Sequence, residues 1–258
     1  LLYLNVMKAE VARGLKESFH YKVGFLTDIL IFSLLYFYLI FSGSATYIGI
    51  YYENKGSART LLLIGYIFWN FSISSINALS MEISAEAFKG TLEQKFMAIV
   101  PFPFLIGGKI ISNFIIEFLE ISLIIVLSIL IAGVGITVNL KMVFSLILTL
   151  IGMYGIGLIL GGVAIKEKKI GNLVFIINGA LFLLCDTVTK TNFAQGLSKA
   201  VPLTTGIDIA RKSALGLRIS MSDWGMLLIC SLTWIVIGVF VFNSFTRKAK
   251  KEGLLGNY

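Results

Sequence analysis

The sequence predicts an all-α integral membrane protein. Six transmembrane helices are expected, preceded by an amphipathic helix in the membrane interface and interrupted by a short polar helix on the cytoplasmic side. Three observations carry this reading. The 258 residues are 57% hydrophobic and 14% charged, with mean hydropathy +0.89, whereas a soluble domain carries about 25% charged residues. Several apolar runs reach the ~20 residues that cross ~30 Å of hydrocarbon. These runs do not alternate apolar with polar residues, as the strands of a membrane barrel would.

Residues 1–22 form the interfacial helix. Leu4, Met7, Val11, Leu15 and Phe19 make one apolar stripe, and Lys8, Glu10, Arg13, Lys16 and Glu17 occupy other faces. Such a segment lies with its apolar side in lipid; an ordinary juxtamembrane helix fits the same pattern. Residues 23–258 form the transmembrane domain. Its first span covers about 23–41 and carries Asp28 one to two turns inside. A short polar loop, 42–59, holds Glu53, Lys55 and Arg59. The second span, 60–79, contains Asn70, Ser72, Ser74, Ser75 and Asn77, which suit helix contacts that hydrogen-bond across. The polar helix follows at about 82–98, closed by Pro101 and Pro103, which cannot continue it. The third run, 104–133, is longer than one span needs, so it tilts or begins at the interface.

The fourth span, 142–165, holds Gly152, Gly155, Gly157, Gly161 and Gly162, which suit close helix contact. The charged turn Lys166–Lys169 leads straight into a fifth span, 170–184. An outer loop, 185–223, carries Lys190, Lys199, Asp208, Arg211, Lys212 and Arg218, and parts of it are apolar enough for short helices dipping toward the membrane. The last span covers 224–245.

The basic residues set the orientation. With the amino terminus inside, 14 of the 22 Lys and Arg fall on the cytoplasmic side. The densest groups are the Lys166–Lys169 turn and the Arg247–Lys251 tail, as expected of cytoplasmic segments. Both termini are then cytoplasmic, and the net charge of +8 reports topology, not binding to nucleic acid. Gly107-Gly108-Lys109 looks like the end of a phosphate-binding loop. That motif needs Gly five residues before the second Gly and Ser or Thr after the Lys, where this chain has Pro103 and Ile110. The single histidine, His20, stands apart from any Cys or carboxylate cluster, so neither a metal site nor a nucleophilic triad is expected.

Two stretches remain as candidates for function. In the polar helix, Glu82, Glu86, Thr91 and Glu93 fall mostly along one side, and Gly90 permits a bend or a close approach. A helix there can take force from a soluble partner, although a solvated loop fits the same residues. In the third span, Lys109, Asn113 and Glu117 are four apart and Glu120 lies close to their face. Charged groups inside a membrane are costly and face a partner or water. Internal pairing and a place on a transport path or gate both fit.

The segment Glu86-Ala87-Phe88-Lys89-Gly90-Thr91-Leu92-Glu93-Gln94, with Pro101 beyond it, resembles the signature of type-2 ATP-binding-cassette (ABC) exporter permeases: an acidic residue, then Gly-Thr-Leu-Glu, then a proline before the third span. Pro202-Leu203-Thr204 with Asp208, Arg211 and Gly216 is similar to the family's proline-led segment before its last span. Phe96–Val100 departs from the Leu and Ser or Thr that many relatives carry there.

The resemblance implies that residues 82–98 are a coupling helix. Glu82, Glu86, Gly90, Thr91, Glu93 and Pro101 would dock on a separate ATPase. It further implies two copies of that ATPase, a second permease subunit as homodimer or heterodimer, and no cofactor in this chain, with ATP and Mg²⁺ on the ATPase. The expected cargo is a drug, peptide, lipid or lipid-linked glycan, exported across a bacterial or archaeal plasma membrane. A proton-coupled secondary carrier using the intramembrane carboxylates, or a membrane scaffold or immunity protein without transport, are the other readings the residues allow.

Overall fold

The computed structural model describes residues 2–52, 58–188 and 198–251. Glu53, Lys55 and Lys190 lie outside the described residues. Among those described, the chain folds into ten helices: α1 Leu2–His20, α2 Lys22–Phe41, α3 Ala45–Tyr51, α4 Ala58–Lys89, α5 Leu92–Phe96, α6 Phe102–Ala132, α7 Leu140–Glu167, α8 Gly171–Leu184, α9 Pro202–Ala214 and α10 Met221–Lys251. Five of them, α2, α4, α6, α7 and α10, are long and apolar enough to cross a membrane. The sixth expected span, α8, has 14 residues, about 21 Å of helix. That is short of the ~30 Å of hydrocarbon.

The core is a row of three parallel helices, α10, α7 and α4, and the glycines of α7 decide how close they lie. A Cβ on Gly155 would sit 2.4 Å from the backbone of Trp234, and one on Gly152 would sit 3.0 Å from Ser231 Cα. On the other face, Gly157 lies against the backbone of Ser75 and Ile76, and Gly161 against Ile83. The five glycines thus divide between two neighbours, α10 and α4. The window of α4 that would span the membrane is 83% buried, against 50% for α7, which makes α4 the most enclosed of the five.

Three hydroxyls of α4 donate first within their own helix. Ser72, Ser75 and Ser80 donate to Phe68 O, Phe71 O and Ile76 O four residues back, at 2.7, 2.8 and 2.7 Å. Asn70 Nδ2 does the same to Tyr66 O at 3.0 Å. A hydroxyl in a helix finds its own carbonyl before it finds a neighbour's, so these residues give small, internally satisfied surfaces. Bonds across helices come from larger groups and from Ser74, Ser75 and Ser84, which pair with Glu117, Tyr154 and Lys168 O. Asn178 Nδ2 donates to Asn77 Oδ1 at 3.1 Å, Tyr66 Oη to Phe32 O at 2.6 Å, and Tyr36 and Ser128 share a bond of 2.6 Å.

The expected polar loop 42–59 contains α3, whose Ala45, Ile48 and Gly49 are buried against α4. The amphipathic stripe of α1 is used in part. Gly14 on α1 lies against Ser112 of α6, and Gly108 of α6 against Met7 and Glu10 of α1, while Leu4 and Phe19 stay exposed. α1 therefore runs along the first turns of α6, which explains why the third apolar run is longer than a span requires.

Candidate functional site

The polar stretch after the second span is two helices and a turn. The last two turns of α4 carry Glu82 and Glu86. Gly90 then breaks the helix with φ 74°, a left-handed conformation that glycine adopts without steric cost. Thr91 precedes the five-residue α5, and residues 97–100 turn into Pro101, at the start of α6. The expected single helix over 82–98 is thus interrupted at Gly90.

The acidic residues of this stretch face inward. Glu86 is 8% exposed. It accepts a hydrogen bond from Thr91 Oγ1 and pairs with Lys95 Nζ at 2.9 Å. Lys95 also reaches Glu82 Oε1 at 3.4 Å. Lys109 of α6 lies 3.8 Å from the other Glu82 oxygen and 3.4 Å from Glu17 of α1. One chain of ion pairs therefore runs from α5 through Glu82 to α6 and α1. Aromatic contacts hold the same end: Phe96 meets Phe102 with ring centroids 4.4 Å apart, and Lys250 of α10 lies over Phe96. Glu93 is half-buried and Pro101 exposed. What projects outward is the turn itself, with Met97 72% and Ile99 91% exposed.

The second feature is a cleft of about 560 Å³ among α1, α2, α4 and α6. The structure brings Lys109, Asn113, Glu117 and Glu120 together on its wall. It adds Asp28 from α2 and Asn70, Ser74, Asn77 and Glu82 from α4. From Glu82 to Asn70 the wall extends about 18 Å along α4. Ser74 and the Glu120 and Asp28 carboxylates lie near Glu117. Phe32, Ile73, Ile116 and Met81 supply apolar wall.

Sequence reasoning missed the role of Arg211. It is 0% exposed, and its three nitrogens each donate to a carbonyl: Nε to Leu61 O at 2.9 Å, Nη1 to Asp186 O at 2.7 Å and Nη2 to Thr187 O at 2.8 Å. Gly65 makes room, since a Cβ there would meet Nη2 at 2.3 Å. One turn earlier, Asp208 accepts from Tyr52 Oη at 2.6 Å and pairs with Lys212 at 2.7 Å, which also reaches Asp223 at 2.9 Å. Burial alone would lower the Lys212 pKa, but the bonds to Asp208 and Asp223 outweigh it and hold the ammonium above the ordinary lysine value. Arg211 and Lys212, expected in an outer loop, are structural members of a buried helix, α9, in which Leu203, Ile207, Ile209 and Ala210 are also buried. An Arg preceded at helical spacing by apolar residues, Leu203 and Ile207, was the available signal.

Five membrane-length helices, three of them packed as a glycine-lined row, with polar groups collected in a cleft, define a multi-pass membrane protein. The chain belongs to the ABC-2 type transporter family, whose family model matches residues 3–215. No curated protein matches it. The family is the membrane-spanning component of ABC transporters. The matched range takes in the α4–α5 junction, the cleft and α9.

Proposed function

We propose that this chain is the permease subunit of an ATP-driven exporter, and that a separate ATPase seats on the turn after α5. The observation that carries the reading is that turn: Met97 and Ile99 stand exposed beyond a five-residue helix buttressed by Glu86, Thr91 and Lys95. Exposed apolar side chains at the tip of a braced element suit insertion into a partner's groove. In this reading Glu82 and Glu86 position α5 and do not themselves touch the partner, while Glu93, Gln94 and Pro101 flank the contact. ATP and Mg²⁺ belong to the ATPase. When two ATPase subunits close on ATP, α5 moves, and the chain Lys95–Glu82–Lys109 carries the displacement to α6, where the cleft lies. The end carrying α1 and α5 is cytoplasmic, in agreement with its many Lys and Arg. A second permease subunit completes the path.

The test is co-purification followed by transport. Met97→Asp together with Ile99→Asp is expected to abolish capture of the ATPase, with the permease still inserted and folded. The loss corresponds to at least about 2 kcal/mol of binding, as for a central interface residue. Undiminished capture would remove the docking role. Transport in proteoliposomes driven by a proton gradient without nucleotide would favour a carrier instead.

A further inference from the structure

We infer that the cleft between α4 and α6 binds an organic cation with an apolar body, so that the cargo class is a cationic amphiphile. The inference rests on the proposed function only in taking the cleft as the cargo's path. Four carboxylates line the cleft, Asp28, Glu82, Glu117 and Glu120, against one basic residue among the described residues, Lys109. That lysine is already engaged by Glu17 and Glu82, so the three carboxyl groups deeper in, Asp28, Glu117 and Glu120, are left without a basic partner on the cleft wall.

A second observation separates this from a chance acidic cluster. Glu120 is 8% exposed, lines the cleft, and among the described residues takes part in no hydrogen bond or ion pair. A carboxyl group so placed in a membrane helix takes up either a proton or a cationic partner, and among the described residues no side chain on the neighbouring helices supplies the partner. Phe32, Ile73 and Ile116 border the same space. An aromatic face and aliphatic walls beside a carboxylate are what a hydrophobic ammonium or phosphonium requires. The volume of about 560 Å³ falls within the ~300–1,000 Å³ of small-molecule sites. Anionic cargo, such as a glycan on a lipid phosphate, would find carboxyl groups and no unengaged basic residue on this wall, and is disfavoured.

The probe is tetraphenylphosphonium, with tetraphenylborate as the anion of matching shape. The chain is purified from membranes with the subunits that accompany it, placed in lipid nanodiscs, and assayed for equilibrium binding without nucleotide. Saturable phosphonium binding that the borate does not displace is expected. Glu120→Gln should weaken it about tenfold or more, the scale of losing a buried charge partner, and Glu120→Asp should retain most of it. Equal binding of both ions would mean partition into apolar surface and would overturn the inference. Displacement by millimolar Mg²⁺ would overturn it in favour of a metal site. Should Glu120→Gln fail to fold, the comparison of the two ions on the native chain still decides. Binding is read without ATP, so loss of ATPase capture by the turn variants leaves this result unchanged, and a failure here leaves the docking result unchanged.

Discussion

In α9, Arg211 is wholly buried and each of its nitrogens donates to a backbone carbonyl at 2.7–2.9 Å. In the cleft, Glu120 is nearly as buried and meets no donor among the described residues. The contrast separates two uses of burial. A charge that serves the fold is satisfied within it and fixes its neighbours in place. Here Arg211 ties α4 to the segment after α8. A charge left open toward a cavity does nothing for the fold and keeps its interaction energy for something that enters. The ion chain Glu17–Lys109–Glu82–Lys95–Glu86 lies between these extremes. It is partly exposed, and its distances of 2.9–3.8 Å suit contacts that lengthen and re-form as helices shift.

The largest effect should follow from breaking the satisfied charge. Arg211→Leu takes the donor from three carbonyls; Leu61 O keeps its place in the α4 ladder, while loss of a donor at Asp186 O and Thr187 O, outside any helix, costs roughly 1–3 kcal/mol each. Loss of folded protein from detergent extracts, read by size-exclusion chromatography, is the expected outcome. Arg211→Lys should rescue only in part, because an ammonium does not match the planar fork. An Arg211→Leu protein of native stability would remove the distinction drawn above.

The next effect concerns the glycine row. Gly155→Leu must push α10 away from α7, and overpacking of this kind costs about 1–3 kcal/mol. Gly24→Ala, where nothing lies within 4 Å of an added Cβ, should stay within about 0.5 kcal/mol. Thermal unfolding midpoints of the two variants measure the difference directly.

The smallest effect belongs to the ion chain. Glu82→Gln leaves Lys95 its pair with Glu86 and Lys109 its pair with Glu17, so stability should fall by only about 0.2–1 kcal/mol. If the chain carries motion, nucleotide-driven transport should fall much further than stability does. Equal losses in both would make Glu82 a structural residue only.

Much of this architecture could be read from residue order. Apolar length marked the long spans, because each must match the same thickness of hydrocarbon. The four-residue spacing of Lys109, Asn113 and Glu117 marked a shared helix face, since helical geometry fixes which neighbours align. The glycines of 152–162 marked a close contact. Other features were not legible. Serines on α4 looked like bridges between helices; Ser74 is one, bonded to Glu117, but Ser72, Ser75 and Ser80 donate to their own helix's carbonyls. Glu82 and Glu86 looked like an outward acidic face. The left-handed turn at Gly90 folds α5 back, so that Lys95 covers them and Met97 and Ile99 point away.

What the sequence determined alone was therefore local: where the chain is apolar enough to leave water, where it must bend, and which residues share a side of one helix. These follow from transfer free energy and from backbone geometry, both of which act over a few turns. Which helices become neighbours was decided only in three dimensions. It took the parallel packing of α4, α7 and α10 to bury Arg211 against Leu61, 150 positions away. The juxtaposition of α2, α4 and α6 alone gathers Asp28 with Glu117 and Glu120. The three carboxyl groups acquire meaning there because the low-polarity surroundings strengthen every interaction they make.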